Sequence, residues 1–161
     1  KGTKEGIQKG MNVIAGSGLV GVVTDVGPNY SKVRSIIDDS SNVSSMVLTT
    51  KDNFNVSGSL KSMNKDKELP FTQLRDEDDK VKPGDPVVTS AVSDIYQEGI
   101  LIGYIASVEN DPNNLTKSGT ITPVVDFEHL REVLVITTVK DTGEKELSSQ
   151  DSTETETETQ K

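Results

Sequence analysis

The chain has 161 residues, a length that fits one domain of ordinary size or two small ones. It contains no cysteine, which excludes a disulfide framework, a thiolate metal site and a cysteine nucleophile. Only 32% of the residues are hydrophobic, 4% are aromatic and none is tryptophan. Since so little apolar surface is available to offset chain entropy, we expect part of the chain to stay unfolded.

The distribution of the net charge of −9 along the chain indicates which part is expected to stay unfolded. Residues 141–161 hold seven acidic side chains and two lysines, and no apolar residue follows Leu147. This composition predicts a disordered, acidic Ser/Thr/Glu tail over 141–161. We expect the tail to serve as a solubilising spacer or, alternatively, to bind cations or partners through its several carboxylates.

The remaining 140 residues carry 19 acids and 15 bases with no basic stripe, which argues against nucleic acid as a partner. No apolar run approaches the roughly 20 residues that span a bilayer. The chain begins with Lys1 inside a predicted turn and not with Met, so we expect a fragment whose anchor lies upstream.

The body of the chain predicts an all-β fold. Turn clusters rich in Gly, Pro, Asn, Asp and Ser separate short β-branched or alternating runs. In chain order these runs are 11–15, 19–26, 33–37, 43–50, 54–60, 86–89, 100–108, 119–125 and 133–139. About nine or ten strands at this spacing are typical of a sandwich or of small barrels. Helical spacing is weak, and only 126–134 suggests a turn of helix.

A weak internal repeat refines this prediction. In each copy a glycine opens one strand and a second glycine lies inside the next strand: Gly10 and Gly21, then Gly84 and Gly103. A glycine inside a strand marks a bulge or bend where a small sheet curls on itself. We therefore expect structural roles for Gly10, Gly21, Gly84, Gly99 and Gly103. The alternative is that any two β-hairpins look alike at this level.

Two curled units predict two small β-barrels in tandem, the first over 1–75 and the second over 76–140, with the last strand completing the first barrel. The divide falls in the charged stretch 64–82, where an apolar island at 69–74 is expected to be extended. The four acids 76–79 suggest a calcium loop, but they lack the alternate spacing and the glycine of such a loop. A solvated corner is the favoured interpretation.

His129 is the one histidine and thus the one side chain whose ordinary pKa suits acid–base catalysis near neutral pH. Two barrels with one histidine suggest a chymotrypsin-like protease. The chain order of such proteases, His then Asp then Ser, argues against it, because only the serines of the tail follow His129. We therefore expect a surface or capping histidine, and we predict no catalytic, cofactor-binding or metal-binding residues.

Several stretches together resemble the bacterial rod-shape-determining protein family MreC. The segments that carry the resemblance are 1–14 (KGTKEGIQKGMNVI), 18–33 (GLVGVVTDVGPNYSKV), 81–90 (VKPGDPVVTS), 98–105 (EGILIGYI) and 122–135 (TPVVDFEHLREVLV). They occur in the family's order over roughly 1–138. Ala91 and Gln97 depart from the family pattern, so we expect the loop over 91–98 to take its own path.

This resemblance implies two small barrels of chymotrypsin-like architecture without a catalytic triad. It implies a single-pass cell-membrane protein whose upstream helix and coiled coil place this fragment on the extracellular side. Its implied role is that of a non-enzymatic scaffold of the peptidoglycan elongation machinery that self-associates into homo-oligomers. The implied partners are penicillin-binding proteins and the shape proteins MreD, RodA and MreB, and no cofactor is implied.

A scaffold of this kind needs binding surface, and the candidates are Ile95 and Tyr96 in the long loop 90–99, which the first repeat copy lacks. The alternative is that both side chains tuck under the second barrel as a lid. Two other functions stay open at this point: a degenerate chymotrypsin-like hydrolase and a peptidoglycan-binding module.

Overall fold

The computed structural model describes residues 1–140, so the predicted acidic tail at 141–161 lies outside the described residues. Ten strands and one short helix follow a 3-10 turn at Thr3–Glu5, which confirms the all-β prediction. The strands are β1 (Asn12–Ala15), β2 (Gly18–Val26), β3 (Ser31–Ser35), β4 (Asn42–Val47), β5 (Asn53–Ser57), β6 (Leu69–Leu74), β7 (Pro86–Thr89), β8 (Leu101–Asn110), β9 (Lys117–Pro123) and β10 (Leu134–Ile136), and the helix α1 is Leu60–Asp66.

Six strands close into one barrel in the order β8-β7-β4-β5-β6-β9, and β9 pairs back with β8. Side chains that alternate along a strand fill the barrel interior. In β5, for example, the side chains of Phe54 and Val56 are buried while their neighbours are not. Phe54 meets Phe71 of β6 edge to face, with ring centroids 5.0 Å apart. Aromatic pairs in this geometry stabilise a core beyond the area that they bury.

The other four strands form an antiparallel sheet in the order β10-β1-β2-β3, which we call the four-stranded sheet. A single parallel bridge between Gly18 of β2 and Leu101 of β8 joins it to the barrel. It has its own small core, formed by Ile7, Met11, Val13, Val20, Val23 and Val125. Within residues 1–140, β3 pairs with β2 and β10 with β1 and with no further strand, so both outer edges are open.

The strand pairing does not follow the predicted boundary near residue 75. The closed barrel takes β4, β5 and β6 from one side of it and β7, β8 and β9 from the other. The last strand, β10, pairs with β1 of the first predicted unit. One closed barrel and an attached sheet are thus present over 1–140, and a second closed barrel remains a prediction.

The repeat corresponds to two three-stranded meanders with the same irregularities. β1 and β2 shift register after Val13, and β7 and β8 shift after Val87, three residues beyond Gly10 and Gly84 respectively. Gly10 and Gly84 have φ of 91° and 94°. Each donates its N–H to the residue two places beyond the inner glycine, Val23 or Ile105. The meander β1–β3 is therefore the counterpart of β7–β9.

The inner glycines allow close approach of neighbouring backbones. A Cβ on Gly21 would lie 2.1 Å from the carbonyl oxygen of Arg34, and one on Gly103 would lie 2.1 Å from that of Thr122. Gly99 has φ of 84° in the turn before β8, a conformation that side chains disfavour. All five predicted structural glycines occupy positions that a larger residue would strain.

The helix α1 was not anticipated, because its first residue continues a run predicted as strand. Ser59 caps it by accepting the N–H of Ser62 at 3.2 Å, and Lys67 ends it in the left-handed conformation. The serine cap was the local signal for this helix. At 126–134, where a helical turn was suggested, the structure has turns leading into β10. Among the described residues, no helix is long and apolar enough to cross a membrane.

Candidate partner-binding surface

The loop 90–99 is fixed by hydrogen bonds to both parts of the molecule. Asn12 of β1, only 1% exposed, donates to the carbonyl of Ile95 at 3.0 Å and accepts the N–H of Gln97 at 2.8 Å. From the barrel side, the hydroxyl of Thr89 donates to the Gln97 carbonyl at 2.6 Å. A loop held in this way loses little conformational entropy when a partner binds.

The structure separates the two predicted anchors. Ile95 is 39% exposed, whereas Tyr96 is 2% exposed and belongs to the barrel core. Ser93 holds the turn by accepting the N–H of Tyr96 at 3.0 Å. Burial raises the pKa of the Tyr96 hydroxyl to about 12. The expectation that Tyr96 is a surface anchor is therefore wrong, and for this residue the alternative of a side chain tucked into the barrel applies. Ile95 keeps an exposed side chain.

Two exposed residues that the sequence reasoning missed extend this surface. Val92 is 67% exposed in the same loop, and Val139 is 41% exposed in the segment after β10. That segment lies against the loop, because the Lys140 ammonium donates to the Ala91 carbonyl at 3.0 Å and the Gln97 side chain donates to the Thr138 carbonyl at 3.3 Å. We call Val92, Ile95 and Val139 the loop surface.

A second concave surface lies beside α1. A groove of about 430 Å³ separates the helix from the chain that leaves β9. Its lining is formed by Ile37, Met63, Asn64, Lys67, Thr122, Pro123, Val124, Val125, Asp126, Phe127 and Glu128. This groove could not be predicted from the sequence, because it depends on the unpredicted helix α1 and on contacts between segments that are distant in sequence.

His129 lies at the surface next to this groove. Its Nδ1 is 2.9 Å from Oδ2 of Asp126, and both side chains are largely exposed. The hydrogen bond from His129 lowers the pKa of the Asp126 carboxyl. Glu128 completes a group whose potential metal-ligating atoms lie within 4.8 Å of one another, but it already pairs with Lys67. Within residues 1–140, no serine or threonine hydroxyl is hydrogen-bonded to the imidazole.

The acidic corner at 76–79 is not uniformly solvated as expected. Asp76 is 6% exposed and accepts the N–H groups of Lys80 and Val81 at 2.8 and 3.0 Å and the ammonium of Lys117 at 3.0 Å. Burial alone raises the pKa of the Asp76 carboxyl, but the hydrogen bonds from Lys117 and the two N–H groups outweigh it and lower that pKa. Asp76 is therefore a structural carboxylate that closes the turn before β7.

Comparisons with known proteins fit this architecture. A family model described as the barrel core of rod shape-determining protein MreC matches residues 1–137. The cell shape-determining protein MreC of Listeria monocytogenes is 32% identical over 162 residues, which cover 98% of this chain and 52% of that protein. MreC of Bacillus subtilis is 29% identical over 143 residues, which cover 84% and 49%. The chain thus spans about half the length of the curated relatives that it matches.

Solved structures agree with the sequence relatives. MreC of Listeria monocytogenes superposes with a TM-score of 0.73 at 32% identity and covers 84% of this chain and 64% of that chain. A solved complex between penicillin-binding protein PBP2 and MreC of Helicobacter pylori matches with a TM-score of 0.59 at 17% identity, covering 77% and 74%. The chain therefore belongs to the MreC family of rod shape-determining proteins, whose barrel core it carries.

Proposed function

We propose that this chain is a non-enzymatic scaffold of the peptidoglycan elongation machinery that maintains cell shape by binding penicillin-binding proteins. The single observation that carries the proposal is its membership of a cell shape-determining family, one of whose members is solved in complex with PBP2. Extracellular display on an upstream membrane helix, self-association and contacts with MreD, RodA and MreB belong to the same proposal.

The loop surface supports this role physically. Val92 and Ile95 present apolar side chains to solvent on a loop whose backbone is already fixed by Asn12 and Thr89. Pre-fixed apolar side chains are good anchors, because binding releases water from them without ordering the chain first. Hydrolysis would require a nucleophile within hydrogen-bond reach of His129, and its one side-chain partner within residues 1–140 is Asp126.

Isothermal titration of this chain with the extracellular domain of a penicillin-binding protein tests the proposal. We expect saturable binding that the double variant Val92→Glu/Ile95→Glu weakens at least tenfold, about 1.4 kcal/mol. Leu115→Glu is the matched control, because Leu115 is 77% exposed on the β8–β9 hairpin at a distance in sequence from the loop. Absence of binding, or equal weakening by both variants, would contradict the proposal.

A further inference from the structure

Charge is divided unevenly between the two parts of the molecule. The four-stranded sheet and its flanking segments, residues 1–35 and 131–140, carry seven basic and three acidic side chains. The intervening residues 36–130, which include the barrel, carry eight basic and sixteen acidic side chains. The sheet is thus a positive region on a protein that is negative elsewhere, and such a region attracts anionic groups.

Four exposed lysines gather at one end of this sheet, and we call them the lysine rim: Lys1, Lys4, Lys9 and Lys32. Lys9 precedes Gly10, whose N–H donates to the carbonyl of Val23 at 2.9 Å. Lys32 lies opposite Asp25 on the same end of β2.

The first residues of the chain fold onto this end. The carbonyl of Lys1 accepts the hydroxyl of Ser31 at 3.1 Å, and the N–H of Lys4 donates to Pro28 at 3.4 Å. Within residues 1–140, no carboxylate lies within 4.0 Å of any rim ammonium, since the ion pairs there involve other lysines. The two nearby acids are engaged with backbone: Glu5 accepts the N–H of Gly2, and Asp25 accepts that of Val26.

The chain leaves the described structure at the same end. Ile136 of β10 lies opposite Asn12, so the residues after it run past the start of β1. Val139 is 3.3 Å from the position that a Cβ on Gly10 would occupy, next to Lys9. The described chain therefore ends close to Lys9, and the acidic stretch that begins with Asp141 follows directly in sequence.

We propose that the acidic tail, residues 141–161, binds the lysine rim of its own chain. A linker of 21 residues spans roughly 25 Å, whereas four strands spaced about 4.8 Å apart span only about 15 Å. Every rim lysine is within reach, and the short connection gives the tail an effective concentration of about a millimolar. Seven carboxylates, facing four ammonium groups that have no carboxylate partner among the described residues 1–140, then make a contact that salt weakens.

A spin label in the tail measures this contact directly. Since the chain has no cysteine, Ser152→Cys accepts a single nitroxide, and nearby amide signals broaden in the NMR spectrum. In about 50 mM salt we expect selective broadening over 1–9 and 26–32, which disappears near 0.5 M salt because the screening length falls to a few ångströms.

Charge variants in the full chain give the matched controls. Replacement of the four rim lysines by glutamine should reduce the broadening at least threefold. Replacement of four exposed barrel lysines by glutamine, at positions 51, 61, 65 and 82, should leave it unchanged. Unchanged signals in the barrel core show that each variant is folded.

Three results would overturn the proposal. The first is uniform or absent broadening at low salt. The second is broadening that also appears in a mixture of two chains, one carrying the nitroxide but no ¹⁵N and the other carrying ¹⁵N but no nitroxide. That result would assign the contact to a second copy of the chain. The third is that the amide signals of the rim are not broadened by the nitroxide in the tail but change when phosphatidylglycerol vesicles are added. That result would assign the rim to binding of a membrane surface.

Discussion

Replacing Tyr96 decides between a core residue and a surface anchor. The side chain is 2% exposed within the barrel core. A buried aromatic side chain removes about 150–250 Å² from water, and truncating one to alanine typically costs about 3–5 kcal/mol because a cavity remains. We therefore expect Tyr96→Ala to lower the free energy of unfolding by about 4 kcal/mol. Ile95→Ala next to it, at 39% exposure, should cost less than about 1 kcal/mol.

Urea unfolding followed by circular dichroism measures the difference. With a slope near 2 kcal/mol per molar urea, the Tyr96→Ala midpoint should fall by roughly 2 M. Tyr96→Phe keeps the ring and should restore most of the loss. A loss below about 1 kcal/mol for Tyr96→Ala would refute the core assignment and return Tyr96 to the surface.

The raised pKa of Tyr96 adds an independent readout. Because the pKa in the folded protein is about 12, above the ordinary value of 10.0, the neutral hydroxyl stabilises the fold below pH 10. This contribution is lost as the pH rises from 10 to 12 and amounts to about 3 kcal/mol. Tyr96→Phe should lack that part of the pH dependence. Equal pH profiles for wild type and Tyr96→Phe above pH 10 would contradict the assignment.

Three further predictions test other parts of the structure. Gly103→Ala places a Cβ 2.1 Å from the Thr122 carbonyl oxygen and should cost more than about 2 kcal/mol in urea, whereas Gly6→Ala, with open space around it, should cost about 1 kcal/mol for its positive φ alone. Asp76→Ala should cost about 3 kcal/mol, because the N–H groups of Lys80 and Val81 lose their acceptor and the ammonium of Lys117 keeps only the exposed Asp79 as its partner. The contribution of Asp76 in wild type should disappear only as the pH falls through its lowered pKa, below 3.8. Asn12→Ala should raise amide hydrogen exchange over 93–98 at least tenfold while exchange in β5 is unchanged, and equal rates would refute its role as the clamp of the loop.

The sequence was most informative where a residue type has a local reason. The repeated glycines predicted curled strand pairs, and Gly10 and Gly84 do open equivalent meanders with equivalent register shifts. The pairing of strands was not predictable in the same way, because hydrogen bonds between β4 and β7 join segments about 40 residues apart. A repeat shows that two segments are alike and does not show which partner each will choose.

For the candidate partner-binding surface, too, the sequence predicted the local feature and not the contacts between distant residues. The long loop was recognised from its length, but Ile95 and Tyr96 are neighbours with opposite exposures, a difference that the turn at Ser93 sets. Asn12, the side chain that fixes the loop, lies more than 80 residues away in sequence. Its amide gives no signal in the sequence, since asparagine is equally common in turns.

The central claim is that the protein maintains cell shape by binding partners and not by catalysing a reaction. The length-to-width ratio of cells tests this claim directly. The full-length protein in its own bacterium would carry either His129→Ala, which removes the one histidine of these 161 residues, or Val92→Glu/Ile95→Glu, at matched protein levels. We predict that His129→Ala cells keep the ratio of wild type and that the loop variant gives rounded cells. Rounded cells with His129→Ala and normal rods with the loop variant would contradict the account.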